Sequence, residues 1–180
     1  MGKIIEPLPH KSSWSSQNFF SWLVILLPPA IYFYLIYSYS LNLPFADDFT
    51  ILSQAISIFQ SANLSENLSI LFSQDGEHRL AFSRLAYTLS YILLGEVNFK
   101  FLVIFGNTSL LALLYLFLKT LKVPHTNLLY FVPVSILLFQ LQFWKNMIWA
   151  QSALHHQYIL FFTGLTFYFL SKNSNRGFYY

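Results

Sequence analysis

Four long apolar runs divide the chain, at residues 19–41, 101–118, 128–143 and 148–170. The first carries no charged side chain over 23 residues. At about 1.5 Å of rise per residue, roughly 20 residues cross the hydrocarbon core of a bilayer, so this run predicts a spanning helix. It begins too late for an ordinary cleaved signal peptide, and no small-residue cleavage site follows it. Pro28 and Pro29 are expected to kink it. The other three runs predict further spans, with Lys100 and Lys119 bracketing the second and Lys145 and Lys172 flanking the last.

Residues 79–94, RLAFSRLAYTLSYILL, are nearly apolar enough to make a fifth span. Their uncharged part, 85–94, gives only about 15 Å of helix against a core of about 30 Å. Placing Arg84 inside the apolar slab would cost a few kcal/mol unless it snorkels. Arg84, Thr88 and Tyr91 share one helical stripe and Leu85, Leu89, Ile92 and Leu93 another, which predicts a helix lying on the membrane surface. Residues 49–59 carry Ile51, Leu52, Ala55, Ile56 and Phe59 on one face and predict a second surface helix. A looser stretch, SANLSENLS, separates the two. Both helices belong to a connection of roughly 58 residues, 42–99, far longer than the two to eight residues usual between packed helices.

The distribution of basic residues orients this arrangement. With four spans and a cytoplasmic N-terminus, six of the ten basic residues (Lys3, Lys11, Lys119, Lys122, Lys172 and Arg176) fall inside. A fifth span at 79–94 leaves only Lys3, Lys11, Lys100 and Lys145 inside. The expected fold is therefore an all-α membrane protein. It has a cytoplasmic tail at 1–18 and one helical domain at 19–171, with about four spans (19–41, 101–118, 127–143, 148–170). An outer loop at 42–99 holds two amphipathic surface helices, and a second tail follows at 172–180.

Composition agrees. Apolar residues make up 56% of the 180 and charged residues 9%, too few to coat a water-soluble globule of this size. Cysteine is absent, so disulfide and thiol chemistry are excluded. The formal charge of +3 comes from scattered Lys and Arg, which gives nucleic-acid binding no support. The NLS triplets at Asn63 and Asn67 are formal N-glycosylation acceptors, relevant only to a eukaryotic secretory route.

Candidate chemistry gathers on the predicted outer side. Asp47 and Asp48 stand just before an apolar periodic stretch, where an acid commonly caps a helix. Capping accounts for one acid better than for two. Adjacent carboxylates can instead divide labour, one accepting a proton while the other holds a hydroxyl or a cation. Glu77, His78 and Arg79 follow Gly76 and could be a charged helix start. In FWKNMIWAQSALHHQY, residues 143–158, the aromatics with Lys145 suit the headgroup level. Gln151, His155 and His156 then lie within a span, where polar groups usually face the bundle or a water-filled cavity. Adjacent histidines point to different helix faces, so zinc is not expected from this pair.

The stretches PFADDFTIL, GEHRLAFSRLAYTLSYILLGEVNFKFL and FWKNMIWAQSALHHQYILFFTGL, taken in order from about residue 44 to 170, resemble the amino-terminal part of polytopic bacterial membrane proteins related to the GT-C glycosyltransferases. Relatives often read Asn-Glu-His-Arg where this chain has Gly76 to Arg79, and Glu-Asn where it has Lys145 and Asn146. The resemblance implies an inner-membrane protein that transfers a sugar from a polyprenyl-phosphate carrier to an acceptor hydroxyl on the outer face, with inversion. Asp47 would be the base, and Asp48 would orient the acceptor or bind Mg or Mn. Glu77, His78, Arg79, Arg84, Lys145, Asn146, Trp149, Gln151 and His155 would contact the substrate. Such enzymes continue for several more spans, so the chain is expected to be a fragment, with membrane lipids and a second chain that completes its bundle as the expected partners. The reading from another class is a noncatalytic lipid-binding or accessory protein of an envelope polysaccharide system. A small transporter is less favoured, because four spans show no internal repeat.

Overall fold

The computed structural model describes residues 16–76, 78, 80–120 and 125–174. All of its regular elements are helical: α1 (Ser16–Tyr39), α2 (Asp48–Gln60), α3 (Leu64–Phe72), α4 (Ala81–Leu94), α5 (Phe99–Thr120), a 3-10 segment (His125–Phe131), α6 (Val132–Leu138), α7 (Trp144–Met147) and α8 (Ala150–Ser174). Two stretches, Phe19–Tyr39 and Phe99–Thr120, are long and apolar enough to cross a membrane. Most of the two expected tails lies outside the described residues.

The helices align in two directions. Asn42, just past α1, accepts a hydrogen bond from the amide of Phe99, the first residue of α5, and Tyr32 reaches Asn107, so α1 and α5 are antiparallel. Ser135 meets Ile25, and Phe139 packs on Tyr32 and Phe33, so α6 runs with α1. Gly106 lies against Ala153 and Leu154 while Gly164 lies against Leu113 and Leu116, so α5 and α8 run side by side in the same direction. A Cβ at Gly106 would sit 2.7 Å from the Ala153 carbonyl carbon. The missing side chain is therefore what lets the two backbones close, as small residues do between helices in lipid.

Several polar groups inside the bundle are paired across helices. Tyr32 of α1 donates to the Asn107 side-chain oxygen, and the Asn107 amide donates to the Val103 and Met147 carbonyls at 2.8 Å each. One buried amide thus joins α1, α5 and the end of α7. The prolines of α1 are accommodated in a related way. The α1 helix continues through Pro28 and Pro29, yet Pro29 has no N–H to offer the carbonyl of Ile25 four residues earlier. The Ser135 hydroxyl donates to that carbonyl at 2.6 Å instead. A hydroxyl from a neighbouring helix is a known substitute for a bond that proline removes.

The structure departs from expectation in three places. The run 128–143 is not one helix: it begins as 3-10, becomes α-helical at Val132 with Pro133 in the first turn, and ends at Leu138, with α7 a separate short turn. The stretch read as loose contains α3, whose start is capped by Asn63 accepting from the Ser65 amide at 3.0 Å, so the long connection holds three helices. The third departure is α4. It buries Ser83, Arg84, Ala86, Tyr87 and Ser90 and exposes Leu85, Leu89, Ile92, Leu93 and Leu94. Arg84, expected on an outward polar stripe, is fully buried.

Ser135→Ala should strand the Ile25 carbonyl and cost about 1–3 kcal/mol. In a Pro29→Ala background, where the helix supplies its own donor, the same substitution should cost clearly less. A double-mutant cycle of thermal unfolding in detergent measures the difference.

Candidate functional site

The loop between α1 and α5 folds back on the end of the bundle where α1 finishes and α5 and α8 begin. Its entry is a tight turn. Ala46 has φ of 48°, a left-handed conformation uncommon for a residue with a side chain. The next residue, Asp47, occupies the capping position of α2 but in a right-handed helical conformation, and its carboxylate makes no capping bond. It is exposed. Capping, the ordinary explanation for an acid here, therefore does not describe it.

Asp48 is the opposite case, with 1% of its surface exposed. One carboxylate oxygen accepts from the Phe45 amide at 2.9 Å, which clasps the turn. The other accepts from the Tyr87 hydroxyl at 2.6 Å and from the Gln151 amide at 2.8 Å. Gln151 is the second residue of α8, so Asp48 caps a helix 103 residues away in sequence. The first amides of a helix lack internal partners and carry its positive end, which is where a buried carboxylate is best tolerated. Burial is the larger influence on the Asp48 acid and raises its pKa, opposed by the Tyr87, Phe45 and Gln151 bonds and by the Trp149 indole. The Trp149 Nε1 falls outside hydrogen-bond geometry and is buried without a partner. Tyr87 is pushed upward by its own burial and then by the Asp48 charge.

These contacts change the expected role of Asp48. Its oxygens face three donors, a set that holds an anion and repels a cation, so Asp48 does not fit as a ligand for Mg or Mn. For the same reason it is not free to orient an acceptor hydroxyl. Among the described residues no group of three or more acids or histidines could hold a metal.

Arg84 is also structural. Its Nε donates to Gln54 of α2 at 2.6 Å, and Nη1 donates to the carbonyls of Leu71 and Ser73 at 3.0 and 2.7 Å. Those carbonyls lie at the end of α3, where a cation satisfies orphan acceptors and opposes the negative helix pole. Burial lowers the Arg84 pKa, with Asp75 acting against it, and Nη2 has no partner. Arg84 ties α2, α3 and α4 into one unit and is not presented at the surface as a phosphate contact would be.

His78 and His155 come together. Gly76, with φ of 55°, makes a tight turn in which Asp75 and His78 exchange backbone hydrogen bonds. The exposed His78 ring then lies 5.1 Å from that of the half-buried His155. His155 is four residues beyond Gln151 on α8, about one turn, so the histidine pair and the Asp48 clasp share the first turns of that helix. A cavity of about 130 Å³ lies beside it between α4 and α8, with Ser83, His155 and Tyr158 among its walls. Glu77 and Arg79 lie outside the described residues.

The remaining candidates cluster at the start of α8. Lys145 is exposed, its ammonium 5.8 Å from the Trp144 ring centre, and Asn146 is half-buried beside it. Trp149 packs edge-on against Phe45 at 5.6 Å. Gln151 contributes its amide to Asp48, while its buried side-chain oxygen has no partner. Sequence reasoning missed Tyr87 and Gln54, which hold Asp48 and Arg84. Their partners are 39 and 30 residues distant, and no local pattern links them.

Comparison with family models, with curated proteins and with solved structures finds no match.

The two aspartates should separate cleanly by stability. Asp48→Ala leaves three donors without their acceptor and should cost about 2–4 kcal/mol. Asp47→Asn should cost less than about 1 kcal/mol, the range of an exposed charge near a helix start. Thermal unfolding in detergent micelles reads both.

Proposed function

We propose that the loop-bearing end of this bundle binds a polyprenyl-phosphate sugar and transfers the sugar to an acceptor hydroxyl. In this reading the chain is a multi-pass inner-membrane protein with about four spans, a cytoplasmic N-terminus and the 42–99 loop on the outer side. The observation that carries the reading is that Asp47 is held out, uncapped and exposed, at the end where His78, His155 and Lys145 also gather.

Asp47 takes the proton of the acceptor hydroxyl as its oxygen attacks the anomeric carbon from the face opposite the phosphate. The carbon–oxygen bond to the phosphate breaks as the new one forms, and the configuration inverts. Charge developing on the leaving phosphate needs donors and cations, a role this reading assigns to Lys145 and to the paired His78 and His155. Asp48 acts indirectly, by holding the turn that presents Asp47.

A noncatalytic carrier-binding role is the second reading. It is favoured by the commitment of Asp48 and Arg84 to structural contacts, which leaves a single available acid in the pair. Asp47→Asn in membranes supplied with a polyprenyl-phosphate sugar and candidate acceptors separates the two. Transfer that falls at least about a hundredfold, as removal of a general base should cause, with carrier binding retained, supports the enzyme. Binding without transfer by the unaltered chain supports the accessory role.

A further inference from the structure

His78 and His155 come from distant parts of the chain, one on the loop turn made at Gly76 and the other on α8, and their rings meet. Both backbones are fixed. Asp75 and His78 exchange backbone hydrogen bonds of 2.8 and 2.9 Å, and the first turn of α8 is held by Asp48 through the Gln151 amide. We propose that these two imidazoles bind one transition-metal dication of the zinc, nickel or copper class, which ties the loop turn to α8. The site goes beyond the carrier reading and does not depend on it.

Three observations point to a metal. The first is spacing. Two imidazoles that share one tetrahedral ion at about 2.0–2.1 Å each have ring centres roughly 5.2 Å apart. The His78 and His155 centres are 5.1 Å apart, with the planes tilted by 59°, so the rings are neither stacked nor edge-on as aromatic pairs prefer. The second is that the nitrogens are free. Among the described residues neither ring makes a hydrogen bond, although His155 is half-buried, where a polar group normally has a partner. The adjacent His156 is committed elsewhere, its Nδ1 lying 3.0 Å from the Ser152 hydroxyl and 3.1 Å from the Ser152 carbonyl. The third is pre-organisation: a turn closed by its own backbone and a helix held at its start keep the two rings facing each other with no ordering left to do. Imidazole nitrogens select zinc, nickel or copper over the oxygen-seeking Mg and Mn. No third acid or histidine joins the pair among the described residues, so water completes the coordination. The cavity of about 130 Å³ that His155 lines has room for it.

The full chain without a histidine tag, stripped with a chelator in detergent, tests the site by calorimetric titration with Zn²⁺, with Mg²⁺ as the control. Zn²⁺ should bind and Mg²⁺ should not. His78→Ala and His155→Ala should each weaken Zn²⁺ binding at least about tenfold, since loss of a ligand costs no less than loss of a group that merely orients one. His156→Ala should leave it nearly unchanged, and His78→Cys, which offers a thiolate in place of the imidazole, should restore it. A second measurement needs no variant: in the unaltered chain Zn²⁺ should shield His78 and His155, but not His156, from carbethoxylation mapped by mass spectrometry. Hydrogen exchange at residues 75–78 should slow on adding the metal. Absence of Zn²⁺ binding, binding that survives both alanine variants, equal loss in His156→Ala, or unchanged modification of His78 and His155 would each overturn the proposal. Sugar transfer, present or absent, does not enter the test.

Discussion

One buried carboxylate connects the two parts of this protein. Asp48 opens α2 in the loop, yet its hydrogen bonds run to the turn before it, to Tyr87 on α4 and to the first turn of α8. An acid removed from water needs either protonation or several donors. Here the donors come from three separate elements, so the acid is best accommodated when all three are in place. Loop geometry, the presentation of Asp47 and the anchoring of α8 depend on the same atoms.

A second constraint is solvent. The α4 helix turns serines, a tyrosine and an arginine inward and leucines outward, the reverse of a helix on a water-soluble core. Within the bundle, some polar groups are matched pairwise: Tyr32 with Asn107, Ser135 with the carbonyl left by Pro29. Such internal pairing is the pattern expected where the surroundings offer no hydrogen bonds, although Trp149 Nε1 and the Gln151 side-chain oxygen stay buried without partners.

Much of the helix content was legible because charge-free runs have few alternatives, and α1 and α5 lie close to where their runs predict. The 128–143 run misled because length and hydropathy do not register a 3-10 start or an early stop near Phe139. For α4 the leucine stripe is the exposed one, but the polar stripe of Arg84, Thr88 and Tyr91 is not the buried face: Arg84 is buried with Ser83, Ala86, Tyr87 and Ser90, while Tyr91 is exposed beside the leucines, and a helical wheel does not say which side faces in. The aspartates drew attention through their position, yet the sequence alone could not assign their roles. The difference between Asp47 and Asp48 lies in partners 39 and 103 residues downstream, and a local capping rule describes neither acid. The meeting of His78 with His155 was likewise visible only once the Gly76 turn had been placed against α8.

Hydrogen exchange of the Asp48→Ala variant in nanodiscs measures this dependence most directly. If one carboxylate holds loop and bundle together, exchange should accelerate in concert at residues 45–60, along α4 and at the opening turn of α8. Faster exchange confined to 45–60, with the amide of Gln151 as protected as in the unaltered chain, would contradict the account.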